Sequence, residues 1–194
     1  MECSAVILAG GKGSRMGKDK AFLPFRGESL IQRTLRLISP LFHEVTIVAK
    51  NREPFQFPGV RVLVDEFQEG GPMGGLYTGL SQARGPVFAV GCDMPFLNPE
   101  LILHMTRQLQ NHDAVIPRLP DGIHPLHAVY SRSTMPVMLD LLKTGRVKMS
   151  NLLDKVEVLY IGAVDIRAFD PELLCLSNIN TSEDLKKCLE ANRE

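Results

Sequence analysis

The densest chemistry in the chain lies at residues 6–20, Val6-Ile7-Leu8-Ala9-Gly10-Gly11-Lys12-Gly13-Ser14-Arg15-Met16-Gly17-Lys18-Asp19-Lys20. Four glycines and four basic side chains interleave directly after a short apolar run. Glycine lets the backbone approach a ligand closely, so that successive N–H groups can converge on an anion. Arg15 offers a planar fork for phosphate oxygens, while Lys12, Lys18 and Lys20 offer compact charges. The stretch reads as a phosphate cradle at the end of a first strand. It is not a Walker A loop: Gly17-Lys18 would need a glycine where Lys12 stands, and Asp19 follows in place of a hydroxyl. Nor is it a regular dinucleotide fingerprint, because Met16 occupies the position kept small for helix–strand packing. The ordinary alternative is a Gly-rich turn with a solvated basic edge.

Two carboxylates fall at the ends of apolar runs. Asp93 follows 87–90 and Gly91-Cys92, and precedes Met94-Pro95, where proline biases the residue before it towards an extended exit. A carboxylate so placed could hold a Mg²⁺ bridging nucleotide phosphates, since Mg²⁺ commonly uses one or two protein carboxylates and takes its other ligands from water and phosphate. The alternative is a turn aspartate. Asp65 closes the run 60–64 and could accept from a guanine edge or a ribose hydroxyl, or be a surface acid ending a strand. His124 and His127 have a His-x-x-His spacing, but Pro125 spoils a regular helix and no Cys or third His is near in sequence, which argues against zinc.

The elements needed to position these groups are legible. Apolar runs at 5–8, 45–48, 60–64, 87–90, 114–116, 128–130 and 156–161 read as strands. Between them, Leu30, Ile31, Leu35 and Ile38 recur at helical spacing after Ser29, with Gln32 completing a capping box and Pro40 ending the helix. Asn98 caps another helix, with Pro99 at its first position. Helices are also expected over 76–83, 135–142 and 149–153, and after Thr181. The glycine-rich 70–75 is too flexible for an element and reads as a loop near a ligand, either mobile or tightly packed. Alternating strands and helices predict a three-layer α/β fold, a mostly parallel twisted sheet covered on both faces, with at least one antiparallel strand. In such sheets ligands bind at the carboxyl ends of the strands, where the basic loop, Asp65 and Asp93 all fall.

A chain of 194 residues is long enough for one well-buried core and short for two, and no linker divides it, so a single domain over 1–194 is expected. Acids and bases balance at 22 each, which leaves no global field to favour nucleic acid or a membrane surface; any anion site must be local. Four dispersed cysteines without a Cys-x-x-Cys pair suggest free thiols in a reducing compartment. No signal peptide or membrane span is evident, and the cytoplasm is the expected location.

Leu8-Ala9-Gly10-Gly11, Ser14-Arg15-Met16-Gly17 and Asp19-Lys20 resemble the signature loop of nucleotidyltransferases with the sugar-nucleotide-transferase fold, a Rossmann-like fold. With Gly71-Pro72-Met73-Gly74-Gly75, Cys92-Asp93-Met94-Pro95-Phe96, His124-Pro125 and Asn178-Ile179-Asn180-Thr181, the chain resembles the molybdenum cofactor guanylyltransferase family across most of its length. The resemblance implies transfer of GMP from GTP to the terminal phosphate of molybdopterin with release of pyrophosphate. It implies Asp93 as the Mg²⁺ ligand, Arg15 and Lys20 on the phosphates, and nucleotide contacts from Leu8, Ala9, Gly10, Gly11, Asp65 and Gly74. It places His124 at the acceptor, where Arg118 could add charge, and implies transient contact with proteins that deliver or receive the cofactor. One departure stands out: at the end of strand two, where the family often has an Asn, Ala49 stands, with Asn51 two residues on. The alternatives are a cytidylyltransferase on the same acceptor, a sugar-phosphate nucleotidyltransferase, and a nucleotide-binding module without transfer activity. Gly10-Gly11 and Asp19-Lys20 resemble the guanylyl branch rather than the cytidylyl one.

Overall fold

In the computed structural model, residues 3–10 and 20–191 are described. The elements in chain order are β1 Ser4–Leu8, β2 Pro24–Phe25, β3 Glu28–Ser29, α1 Leu30–Ile38, β4 Val45–Ala49, β5 Arg61–Val64, α2 Gly71–Gln82, β6 Val87–Gly91 and α3 Pro99–Gln108. There follow β7 Ala114–Leu119, β8 Gly122–Ile123, β9 His127–Tyr130, α4 Met135–Lys143, α5 Met149–Leu153, β10 Val158–Gly162, α6 Ala163–Arg167 and α7 Ser182–Glu190.

The sheet runs β10-β7-β9-β6-β1-β4-β5, with β8 paired to β7. Strands β1, β4, β5 and β6 are parallel neighbours, and β9 enters antiparallel between β6 and β7. β1 sits inside this parallel block, buried along its length, which is why it reads as an unbroken apolar run rather than an alternation. Its side chains nevertheless divide: Ala5 and Ile7 join the core under α1, α3 and α6, and Val6 and Leu8 join the core under α2, α4 and α5. The mixed three-layer α/β architecture is therefore as expected. A third, smaller core joins Phe25, Leu30 and Phe96 to Ile179 and Cys188, pinning the end of the chain beside the carboxyl edge of the sheet. Among the described residues no helix is long and apolar enough to cross a membrane.

The expected caps are present. Ser29 Oγ accepts from Gln32 N while Ser29 N donates to Gln32 Oε1, and Asn98 Oδ1 accepts from Leu101 N at 2.9 Å.

One element departs from the sequence reading. The segment 70–75 is not a loop; Gly70 is the N-cap of α2, and 71–75 form its first residues. The glycines serve packing. A Cβ at Gly79 would lie 2.6 Å from Val6 Cγ1, and one at Gly74 would lie 2.5 Å from the Phe67 carbonyl oxygen. α2 thus approaches β1 and the chain after β5 more closely than any side chain would permit, and that packing outweighs the poor helix propensity of glycine.

Candidate functional site

The carboxyl ends of β1, β4, β5 and β6 share one edge of the sheet. Leu8, Ala9 and Gly10 leave β1 there, held by Ala9 N donating to Val48 O at 2.9 Å and by Cys92 N donating to Leu8 O at 3.3 Å. Among the described residues, the nearest atom to a Cβ at Gly10 would be Lys50 N at 3.8 Å, an ordinary contact. Gly11 and Arg15 lie outside the described residues. Ala49 is buried, and its carbonyl accepts from Asp65 N, so the end of β4 brings no polar side chain at that position.

Asp65 follows β5. Its Oδ1 accepts from Phe67 N at 2.8 Å, a turn within its own segment, and lies 3.4 Å from the Thr78 hydroxyl on α2. That hydroxyl also lies 3.0 Å from Gly74 O and has a single proton to give. Gly74 and Gly75 pass close to the carboxylate: a Cβ at Gly74 would sit 3.2 Å from Oδ1 and one at Gly75 3.7 Å from Oδ2. One oxygen of Asp65 is therefore committed to shaping the turn, and Oδ2 faces the start of α2.

Asp93 follows β6. A Cβ at Gly91 would fall 2.6 Å from Asp93 Oδ1, so the glycine is what lets the carboxylate fold back over the strand end. Its carbonyl accepts from Ile179 N at 2.9 Å. Two residues on, the Pro95 carbonyl accepts from Arg33 Nε at 2.6 Å; Arg33 is buried on α1, with its guanidinium over the Phe25 ring and paired with Glu28. Lys20 Nζ stands 3.7 Å from Asp93 Oδ2 and donates to Asn180 Oδ1 at 2.8 Å. Burial pushes the Asp93 carboxyl above its ordinary range, and the Lys20 ammonium opposes that shift. Among the described residues no group of three metal-binding side chains exists. A lone, largely buried carboxylate is the donor set that Mg²⁺ accepts when phosphate and water complete its shell, so the residues fit that ion.

Asn180 also lines a cavity of about 430 Å³, walled by Leu119, His124, Leu176, Asp184 and Cys188 among others. The structure brings His124 into this cavity with its Nε2 buried and unpartnered among the described residues. Burial lowers the His124 pKa. Arg118 is not brought there. It precedes Leu119 on β7, and strand alternation turns it to the opposite face, where its guanidinium stacks 3.4 Å from the centre of the Tyr160 ring. Sequence reasoning assigned no role to Asn180 or Asp184; the signal was the short Asn-Ile-Asn-Thr run before a capped helix.

A family described as MobA-like NTP transferase domain matches residues 5–158. The chain belongs to that family. It is 34% identical over 188 residues to a Pelotomaculum thermopropionicum protein named "Probable molybdenum cofactor guanylyltransferase", spanning 96% of this chain and 92% of that protein. A Syntrophotalea carbinolica protein named "Molybdenum cofactor guanylyltransferase" is 34% identical over 187 residues, spanning 95% of this chain and 89% of its own length. Among solved structures, the Archaeoglobus fulgidus molybdopterin-guanine dinucleotide biosynthesis protein A superposes with a TM-score of 0.86 at 28% identity, covering 96% of this chain and 97% of that one. In this chain Asp65 and Asp93 end two strands at the same edge of the sheet, and Lys20 stands beside Asp93.

Proposed function

We propose that this protein transfers GMP from GTP to the terminal phosphate of molybdopterin and releases pyrophosphate. The observation that supports this reading is the contact of Lys20 with both Asp93 and Asn180, the last of which also lines a cavity of about 430 Å³; a cation and a carboxylate next to such a cavity suit a phosphate-bearing acceptor. The names of the relatives support the identity of both substrates.

The nucleoside would lie over Leu8, Ala9 and Gly10 at the carboxyl end of β1. Asp65 Oδ2 would accept from the base or the ribose. An oxygen of the acceptor phosphate attacks the α-phosphorus, a new phosphoanhydride bond forms, and the bond to the β-phosphate breaks, its electron pair leaving with pyrophosphate. The acceptor is already anionic at neutral pH, so no general base is required, and catalysis rests on positioning and charge neutralisation. Lys20 would steady the departing pyrophosphate, and Asp93 would hold Mg²⁺. When bound, the ion supplies charge stabilisation at the phosphates. His124 would contact the acceptor from the cavity wall.

The test is pyrophosphate release with GTP, CTP and ATP in competition, with and without molybdopterin. GTP and molybdopterin together should be required. Release that is faster with CTP, or that ignores molybdopterin, would overturn the assignment.

A further inference from the structure

Asn180 stands where the two halves of the site touch. Its side-chain carbonyl accepts from Lys20 Nζ at 2.8 Å, and the same ammonium is 3.7 Å from Asp93 Oδ2. Lysine only donates, so the amide must turn its oxygen to Lys20 and its NH₂ group away. Asn180 also lines the cavity next to the site.

The backbone that carries this side chain is held from three sides. Asn180 N donates to Asp184 Oδ2 at 2.9 Å, inside the box that caps α7, in which Thr181 N donates to the same oxygen at 2.8 Å. Ile179 N donates to the carbonyl of Asp93 itself. The Ile179 side chain is fully buried with Phe25, Leu30 and Phe96. Asp93 and Asn180 are therefore fixed to each other through the main chain, and Lys20 bridges their side chains.

We propose that Asn180 is a positioning residue that holds the Lys20 ammonium at the boundary between the nucleotide site and the cavity; this rests on the nucleotidyl-transfer reading above. A lysine side chain has four rotatable torsions, and the 3.7 Å approach to Asp93 does not by itself fix them. Asp93 is also a poor permanent anchor, because a metal ion at that carboxylate would compete with the ammonium for its charge. The neutral carbonyl of Asn180 is unaffected by that competition and keeps Lys20 in place when the nucleotide is bound. Its NH₂ group, turned away from Lys20 and without a partner among the described residues, can donate to an anionic group entering the cavity. Such a contact would fix the amide orientation that holds Lys20, so filling the cavity would improve the placement of the ammonium.

A double-mutant cycle tests this, with Lys20→Ala, Asn180→Ala and the pair. Asn180 is exposed, so its truncation should leave the fold intact, and thermal unfolding of all four proteins checks that. The first readout is binding of a non-transferable GTP analogue, which needs no acceptor. Asn180→Ala should weaken binding several-fold in the parent and less than twofold in the Lys20→Ala background. The second readout is transfer. There Asn180→Ala should lower kcat on the order of tenfold while the KM for molybdopterin moves less, again only when Lys20 is present. Equal factors in both backgrounds, or a rise in acceptor KM with kcat unchanged, would overturn the proposal and leave Asn180 a simple acceptor contact. Absence of transfer to molybdopterin in the parent would instead count against the functional reading, and the binding cycle would still judge Asn180. A second variant, Asn180→Asp, keeps an oxygen facing Lys20 and loses the NH₂ group. Analogue binding near the parent value is expected for it, and a loss as large as that of Asn180→Ala would count against the proposal.

Discussion

The two acids of the site differ in how much of each is already spent. Asp93 has its carboxylate folded over Gly91 and shared with Lys20, while Asp65 has one oxygen fixed in a turn with Phe67 N. Asp93→Asn changes charge and little else, so the protein should fold with an unfolding temperature close to the parent's. Transfer should fall on the order of a hundredfold or more, the range seen when one preorganised charge contact is removed. Near-normal turnover at saturating Mg²⁺ would reject Asp93 as the metal ligand. Asp65→Asn is the cleaner probe of base choice, because the remaining carbonyl can still accept from Phe67 N. It replaces the acceptor Oδ2 with a donor. If that oxygen meets guanine's N1–H and N2 amine, preference for GTP over ATP in kcat/KM should fall roughly tenfold, since each mismatched buried polar contact costs about 1–3 kcal/mol. An equal loss with both nucleotides would place Asp65 on the ribose.

Helix α2 shows how an element is shaped by what it touches. Its glycines give it low intrinsic stability, and the contact of Gly79 with Val6 is the reason they are needed. On an exposed helix Gly→Ala would stabilise by about 1 kcal/mol. Here the new methyl would lie 2.6 Å from Val6 Cγ1, and a β-branched side chain on a central strand has little freedom to turn away. Overpacking of this kind costs about 1–3 kcal/mol. Gly79→Ala should therefore lower the denaturant midpoint, and Val6→Ala in the same protein should recover part of the loss. A stabilised Gly79→Ala would show that α2 is free to shift. Arg33 plays a comparable part for α1, its buried guanidinium tying the helix to the Pro95 carbonyl just beyond Asp93.

At the scale of the whole molecule, one buried group should set an acid limb of stability. His127 lies on β9 in the middle of the sheet, fully buried and edge-on to Phe88, with both ring nitrogens unpartnered among the described residues. Burial lowers its pKa to about 3, with neighbouring His124 pushing the same way. Above its ordinary value of 6.5 the ring is neutral in both states and stability is complete. Below that, the unfolded chain takes the proton and the folded one does not until about pH 3, so stability is lost across that window, by at most about 1.4 kcal/mol per pH unit. Opening the centre of the sheet requires global unfolding, so the effect should appear in whole-chain denaturation. Urea midpoints from pH 7 to 5 should fall more steeply for the parent than for His127→Leu. Parallel curves would mean that water or another partner satisfies the ring.

The sequence alone fixed what depends on near neighbours. The Ser29–Gln32 and Asn98–Leu101 caps, the apolar runs of the parallel strands and the fall of Asp65 and Asp93 at strand ends are written in local spacing, because helix caps and strand periodicity are set within a few residues. What only the tertiary structure decided are the pairings set by sheet order and packing. Lys20 meets Asn180 across 160 positions because the third core pins the chain end beside β6. Arg118 is absent from the cavity lining because side chains alternate along β7 and Leu119, the next residue, takes the cavity face. The glycines of 70–75 look like a loop until β1 and Phe67 are set against them, and there their missing side chains become the condition for a helix.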